Sequence, residues 1–446
     1  MNHQITTQTT MIRSALIAIA LFLFINQLFA QQYGNFTKVP VAIGLFPPIS
    51  TNGNHAGDCV NQISLNLISG YSAGLAGIEF AGISNTERDF VHGVQIAGFG
   101  NFVVGEFTGF QFANFVNFNK GISNGFQFAG FANFNYDQAD GVLAAGYFNF
   151  TNGKSLAVQL AGFANFCKDI EGVQAAGFAN VVKGSGKATQ LAGLANITLG
   201  EVNGIQVAGV LNYSKQNMQN VQASGCINVS MADARGVQLA GLANVAKGNL
   251  NGAQISGFLN VARKVKGFQL GIINIADTIE SGIPIGLLSI ARNGFREMEV
   301  SFSEGLNMQA SFKIGVDKFY NIFAIGAQVL GADYSYGLGY GIGTHLSKND
   351  RFKTQLELMS FHIKEGKEWT DKQNELQQAK VIFTKKVSDH FSVFAGPSIN
   401  LMITDNKDNH NQPFKSNFAP YELFMHVGKN TTLQGWIGFT AGIHIN

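Results

Sequence analysis

A glutamine returns every sixteen residues through the middle of this chain. Gln95, Gln111 and Gln127 open the series, Leu143 takes the next slot, and Gln159, Gln174, Gln190, Gln206, Gln222, Gln238, Gln254 and Gln269 continue it. Glu79 extends it backwards and Pro284 forwards. Six residues after most of these positions stands an asparagine: Asn85, Asn101, Asn117, Asn133, Asn149, Asn165, Asn180, Asn196, Asn212, Asn228, Asn244 and Asn260. Asn274 and Ser289 close the row five residues after theirs. That makes fourteen copies of G-φ-Q-φ-A-G-φ-x-N-φ, with φ apolar, joined by linkers of five or six residues. Gly236 to Val245 is a good copy. A fixed short period restricts the chain to repeat architectures.

Helix suits the unit poorly. Glycine occurs twice per copy, and β-branched and aromatic residues alternate around the glutamine. Each copy is therefore either one coil of a β-solenoid or one strand of an up-and-down sheet. The linkers decide for the solenoid. In an outer-membrane barrel the two ends carry short and long connections in turn, whereas VVGEFT, NKGISN, NYDQAD and TLGEVN show no such alternation. From Gly77 to Arg292 every charged residue except Glu79 falls in a linker. The shortened copies lose a residue in the linker, as between Phe166 and Gly172, or at the Ala-Gly step, as in Gln269-Leu270-Gly271. A loss within a flat strand would turn every later side chain over, and a loss at a corner would not. Corners are accordingly expected at Ala-Gly and at the linker.

Stacked coils put like residues in columns. Val94, Phe110 and Phe126 form one, Phe99, Phe115, Phe131, Tyr147 and Phe163 another, and Phe102, Phe118, Phe134, Phe150 and Phe166 a third. These columns are the expected core, so Phe131→Asp is expected to unfold several coils. Asparagines are expected to form amide ladders, each bonding to the next coil.

The G-x-Q-φ-A-G-φ-x-N signature over residues 77–292 resembles an uncharacterised family of bacterial surface-repeat proteins. That resemblance implies export and surface display and no known chemistry. The ANF and ANV triplets look like pentapeptide-repeat proteins, but the sixteen-residue period departs from five.

The flanks differ in character. Arg13, the apolar run Ala15–Ile25 and the small Ala30 read as a secretory signal over residues 1–30. Residues 31–76 hold turn signals at Pro47-Pro48 and Asn52-Gly53 and read as a cap of the solenoid or a strand lent to the C-terminal part. Residues 77–292 are the repeats. Residues 293–446 change to longer strands of period two: Tyr334, Tyr336, Leu338, Tyr340 and Ile342 oppose glycines, and Phe352, Thr354, Leu356 and Leu358 oppose Lys353, Gln355 and Glu357. About eight such strands are expected, long enough to cross an outer membrane. This segment looks like a small Gram-negative outer-membrane β-barrel, although it closes on Ile445-Asn446 where such barrels carry an aromatic residue; the alternative is a soluble β-barrel or sandwich that caps the solenoid. The fold class expected is all-β, a β-solenoid followed by an antiparallel barrel-like domain.

Composition and motifs bound the function. Thirty Lys and Arg against 28 Asp and Glu argue against a nucleic-acid partner. His345, His362, His390, His410, His426 and His444 are scattered without metal-ligand spacing. Gly70-Tyr71-Ser72-Ala73-Gly74 matches a nucleophile elbow, but glycine-rich repeat follows where a helix is needed. Gly186-Lys187 lacks the rest of a phosphate loop, and Cys59, Cys167 and Cys226 are too few for a disulfide framework. Polysaccharide-cleaving solenoids gather acids on one face; here Asp140, Asp169, Asp233 and Asp277 are far apart in coil number, and Arg263, Lys264 and Lys266 form the one basic cluster of the repeats. No catalytic, cofactor or metal residue is assigned. The expected function is a non-enzymatic outer-membrane or cell-surface protein with a structural or adhesive role. Its partners would be membrane lipid, through the C-terminal domain, and an unidentified surface glycan or protein. An outer-membrane pore in which the repeats add strands is the alternative, and a polysaccharide-active enzyme a third reading.

Overall fold

A computed structural model describes residues 36–445, apart from stretches at 330–333, 350, 366–371, 408–409 and 411–412. The secretory signal expected in residues 1–30 lies outside the described residues. The chain is a β-solenoid of about fourteen coils followed by a closed, eight-stranded antiparallel β-barrel. It forms two compact units that divide in sequence between Gln206 and Val207. The first holds the N-terminal coils. The second holds the remaining coils and the barrel.

Each coil of the first unit has two limbs, separate strands in some coils and one strand running through the linker in others, as in Ser84–Ala97 and Phe148–Ala161. The longer limb carries the glutamine, as in Glu106–Ala113, and the shorter limb carries the asparagine, as in Val116–Asn119. Both pair in parallel with the same strands of the coils before and after, Gln95 against Gln111 against Gln127 and Asn101 against Asn117 against Asn133. Each Gln-to-Gln interval is therefore one full circuit of the backbone. The chain bends at the Gly-φ step and in the linker. The short copies behave as the corner argument requires. Phe150 pairs with Phe166 and Gln159 with Gln174, while the register shift between them falls in the linker, between Thr151 and Lys154.

Glycine precedes the glutamine by two residues because the coils approach too closely for a side chain. Gly109 has φ +137°, and a Cβ there would lie 2.0 Å from the carbonyl oxygen of Gly93 in the preceding coil.

The N-terminal segment extends the pile. Thr37–Phe46 runs parallel to Cys59–Asn66, which runs parallel to Ser69–Ala81. Ile49–Ser50 then folds back antiparallel on Thr37–Phe46. Of the two roles open to this segment, it takes that of a cap on the coils.

The interior differs from expectation. None of the three aromatic columns is buried. Phe99, Phe115 and Tyr147 are 45, 43 and 45 % exposed, and Phe131 is half-buried. The rings of Phe99, Phe115, Phe131, Tyr147, Phe163 and Phe178 stack in order at 4.8–5.3 Å, on the outside. The inside is lined by the glutamines and asparagines, with smaller residues such as Ala113, Ala132 and Val103 and the occasional Phe107. Cys226 lies in the outer column too, half-buried rather than in a core. The physical reason is strand alternation: with Gln111 turned inward, Phe110 and Phe112 must turn outward.

The second unit continues the same coils, for example Met218–Ser224 against Ala234–Ala240. Its last coil meets the barrel. Asn321 accepts a hydrogen bond from the Ser289 backbone N–H at 3.1 Å and donates to the Gly286 carbonyl at 2.7 Å. The barrel strands are Phe295–Ser303, Met308–Val316, Phe319–Gln328, Ser335–Lys348, Phe352–Glu365, Asn374–Lys386, Phe391–Asp405 and Thr431–Ile445. Neighbours are antiparallel, and the first pairs with the last from Met298–Ile445 to Ser303–Thr440. The barrel thus closes with no strand from the repeats. This corrects the pore reading in which repeats add strands: parallel coils already pair on both edges and have no antiparallel edge to offer.

Candidate functional site

Two constructions stand out: a hydrogen-bonded amide lattice inside the coils and an ionic cluster inside the barrel. In the lattice the asparagines donate both along the pile and to neighbouring backbone carbonyls. Asn101 Nδ2 donates to Asn117 Oδ1 at 2.9 Å and to the Phe112 carbonyl at 2.9 Å. The first bond builds a ladder along the coils and the second ties the next corner. Glutamines bond in the opposite sense, Gln111 Nε2 to Gln95 Oε1 at 2.9 Å and Gln190 to Gln174 at 2.8 Å. Leu143 interrupts them. There Gln127 turns to Asn135 at 3.0 Å, and Gln159 turns to Thr151 and Ser155, both at 3.1 Å. Buried amides are tolerable only when so partnered. The lattice is turned inward and its amides are mostly spent on one another, with Asn85 Oδ1 and Gln269 Oε1 as buried exceptions.

The glutamine ladder ends on acid. Gln95 Nε2 donates to Glu79 Oε2 at 3.0 Å, and Asn66 donates to Glu79 Oε1 at 3.0 Å. Glu87, a linker residue by sequence, is buried beside it and accepts from Ser72 Oγ at 2.5 Å. Burial raises both carboxyls above the usual carboxylate range, Glu87 well above it because Glu79 adds like-charge repulsion and a hydrogen bond. Ser72 is the serine of the nucleophile-elbow match. It sits within the strand Ser69–Ala81 with no helix after it, bonded to Glu87 and to the Gly74 carbonyl.

In the barrel, Lys313 is fully buried. Its Nζ lies 2.5 Å from Glu299 Oε2 and 2.5 Å from Glu357 Oε1. Tyr320 OH donates to Glu357 at 2.8 Å. His444 bridges Glu299 at 2.9 Å and Glu297 at 3.3 Å, and stacks on Phe394 at 4.3 Å. Lys380, also buried, donates to Gln309 at 3.4 Å. A second interior cluster is apolar: Leu306, Tyr320, Met359, Phe361, Met402, Phe418 and Trp436. The glycines of Ser335–Lys348 make room for it, since a Cβ on Gly339 would lie 2.4 Å from the Phe361 ring. An eight-stranded barrel has an interior that side chains fill, and this one is filled. Outside, polarity reverses. Ile399 is 66 % exposed and Ile325 60 %, and Phe302, Leu338, Phe383, Ile437 and Phe439 are exposed with them.

The scattered sequence candidates are not brought together. Asp169 accepts from the Ser185 N–H and Asp233 from the Asn249 N–H, each at 2.8 Å, so both cap linkers of the next coil. Lys264 and Lys266 both pair with Glu280, at 3.4 and 3.0 Å. Asp140 is exposed on its linker. Cys59 and Cys167 are buried thiols. Among the described residues no group of three His, Cys, Asp or Glu is arranged to hold a metal ion. The barrel cluster went unread in the sequence. Its signal was there: Glu297 and Glu299 alternate with Met298 and Val300 in Phe295–Ser303, and Lys313 interrupts an otherwise uncharged strand.

No family of known proteins, no curated protein and no solved structure matches the chain significantly.

Proposed function

We propose that the chain is an exported, outer-membrane-anchored surface protein with a non-enzymatic, structural or adhesive role. The observation that carries this reading is the reversed polarity of the barrel. Ile325, Leu338, Ile399, Ile437 and Phe439 face outward while Lys313, Glu299, Glu357 and His444 are enclosed. In water that arrangement loses twice, by exposing apolar surface and by burying charge. In lipid the first loss becomes a gain, and closure leaves no strand edge unpaired. Barrel strands of 9 to 15 residues suit the thickness of a bilayer.

The filled interior supports an anchor rather than a channel. The repeats offer a partner their linkers, where the exposed charges are gathered; their varied sequence supports recognition of a shaped surface over a uniform lattice. Cell fractionation tests the reading. Full-length protein that stays with outer membranes through urea washing supports it, and full-length protein in the soluble periplasm defeats it.

A further inference from the structure

We infer that the coils of the first unit lie along a membrane surface with their Ala-Gly corner sunk among acyl chains and their linker edge in water. This deepens the anchoring reading and rests on it, since it takes the same bilayer as its ligand.

Three observations carry it. The first is the extent of the apolar surface. In the coil around Gln111, Phe110 and Phe112 point outward from the longer strand, Phe118 from the shorter strand, and Phe115 from the corner between them. Copies of these positions repeat coil after coil. The corner column alone, Phe99 to Phe178, leaves on the order of 500 Å² of aromatic surface open, about the whole of the largest patch on an ordinary soluble monomer.

The second is where charge sits. Glu106, Lys120, Asp137, Asp140, Lys154, Lys168, Lys183 and Lys187 lie in the linkers or at the linker end of the strands, and none lies at the Ala-Gly corner or on the outward positions beside it. Seen along its axis, the pile is amphipathic, with charge at the linker edge and the adjoining strand ends, and mainly apolar residues at the corner and on the outer faces beside it. That is the distribution of an interfacial amphipathic element, built here from coils instead of a helix.

The third is the interior. Asn101, Asn117, Asn133, Gln111 and Gln127 have side-chain partners within the lattice, and the backbone ladders are parallel and continuous from coil to coil. Most polar groups of such a body are partnered before it meets lipid, and the exceptions, Asn85 Oδ1, Glu87 Oε1 and Ser123 Oγ, are enclosed inside the coils. A second copy of the chain is the other conceivable cover. A rigid partner seated on one broad side would leave the opposite side and the corner bare, whereas acyl chains cover all three.

The test uses the full-length protein in vesicles of phosphatidylethanolamine and phosphatidylglycerol. Phe115→Trp and Phe163→Trp place a reporter at the corner on two different coils, and Asn152→Trp places one on the linker edge. The added tryptophan emission, taken against the parent protein, is measured with lipids brominated on their acyl chains and with aqueous acrylamide. The inference expects several-fold quenching of the two corner reporters by brominated lipid and little by acrylamide, with the reverse for Asn152→Trp. Corner reporters quenched by acrylamide and untouched by brominated lipid would overturn it. So would corner reporters shielded from both quenchers, which would put protein on that face. Heat-dependent gel mobility reports barrel insertion separately: a folded barrel with water-exposed corners sinks this inference alone, and absence of a folded barrel sinks the anchoring reading.

Discussion

At the scale of single residues, the amides carry the burden that aromatic rings carry in most cores. Asn149 donates to Asn165 Oδ1 at 2.9 Å and to the Leu160 and Leu143 carbonyls at 2.8 and 3.2 Å, and accepts from Asn133. Asn149→Ala leaves those buried groups without their partner and should cost about 3 kcal/mol, read as a lower unfolding midpoint in detergent. Phe131→Asp should cost only about 1 kcal/mol to the solenoid of detergent-extracted protein, where water reaches the corner, because it breaks ring stacking and strands no carboxylate in a packed core. Lys247 is exposed; Lys247→Ala should stay within about 0.5 kcal/mol of the parent. The ordering reverses the one that composition suggests. A repeat tells which residues share a column. It does not tell which face of the strand turns inward, since alternation fits either choice when both sets are regular. The rule that rings go inside broke the tie wrongly here. In the barrel, Lys313→Met should lose about 3–5 kcal/mol by leaving Glu299 and Glu357 buried without the cation between them. Adding Glu299→Gln and Glu357→Gln should return much of that loss.

At the scale of the element, the coil was legible and its cap was half legible. The short copies located the corners, because only a bend can absorb a missing residue without turning the strand over. The acid pair of the first coils was hidden, since Glu87 reads as an ordinary charged linker residue until the neighbouring coil covers it. Its consequence is a pH dependence of uncommon sign. Both carboxyls have raised values in the folded coils, burial being the larger cause. The stability they contribute is complete below the ordinary carboxylate range and is lost as pH rises through their raised values. Hydrogen exchange at Ser69–Ala81 should therefore be better protected at mildly acidic pH than at neutral pH, after correction for intrinsic rates. Glu87→Gln should flatten the difference. Protection that falls on acidification would contradict the shared burial of this pair.

At the scale of the molecule, solenoid coils and barrel share one inversion, with polar groups enclosed and apolar groups turned out. The barrel strands announced this through their period-two pattern, where Phe352 and Leu358 oppose Lys353, Gln355 and Glu357. The charged side is the enclosed one, a choice that only closure of the sheet decides. The side chains packed inside the barrel favour an anchor over a standing pore, so planar bilayers holding the protein should show no steady open-channel conductance. The central claim is that the strands from Phe295 to Ile445 form a closed barrel that sits in lipid. Gel mobility of the membrane-extracted, full-length protein, with and without boiling, tests it most directly. The account predicts a faster-migrating species in the unboiled sample that converts to the full-mass position on heating. One unchanged mobility in both samples, from protein that washes off the membrane, would contradict it.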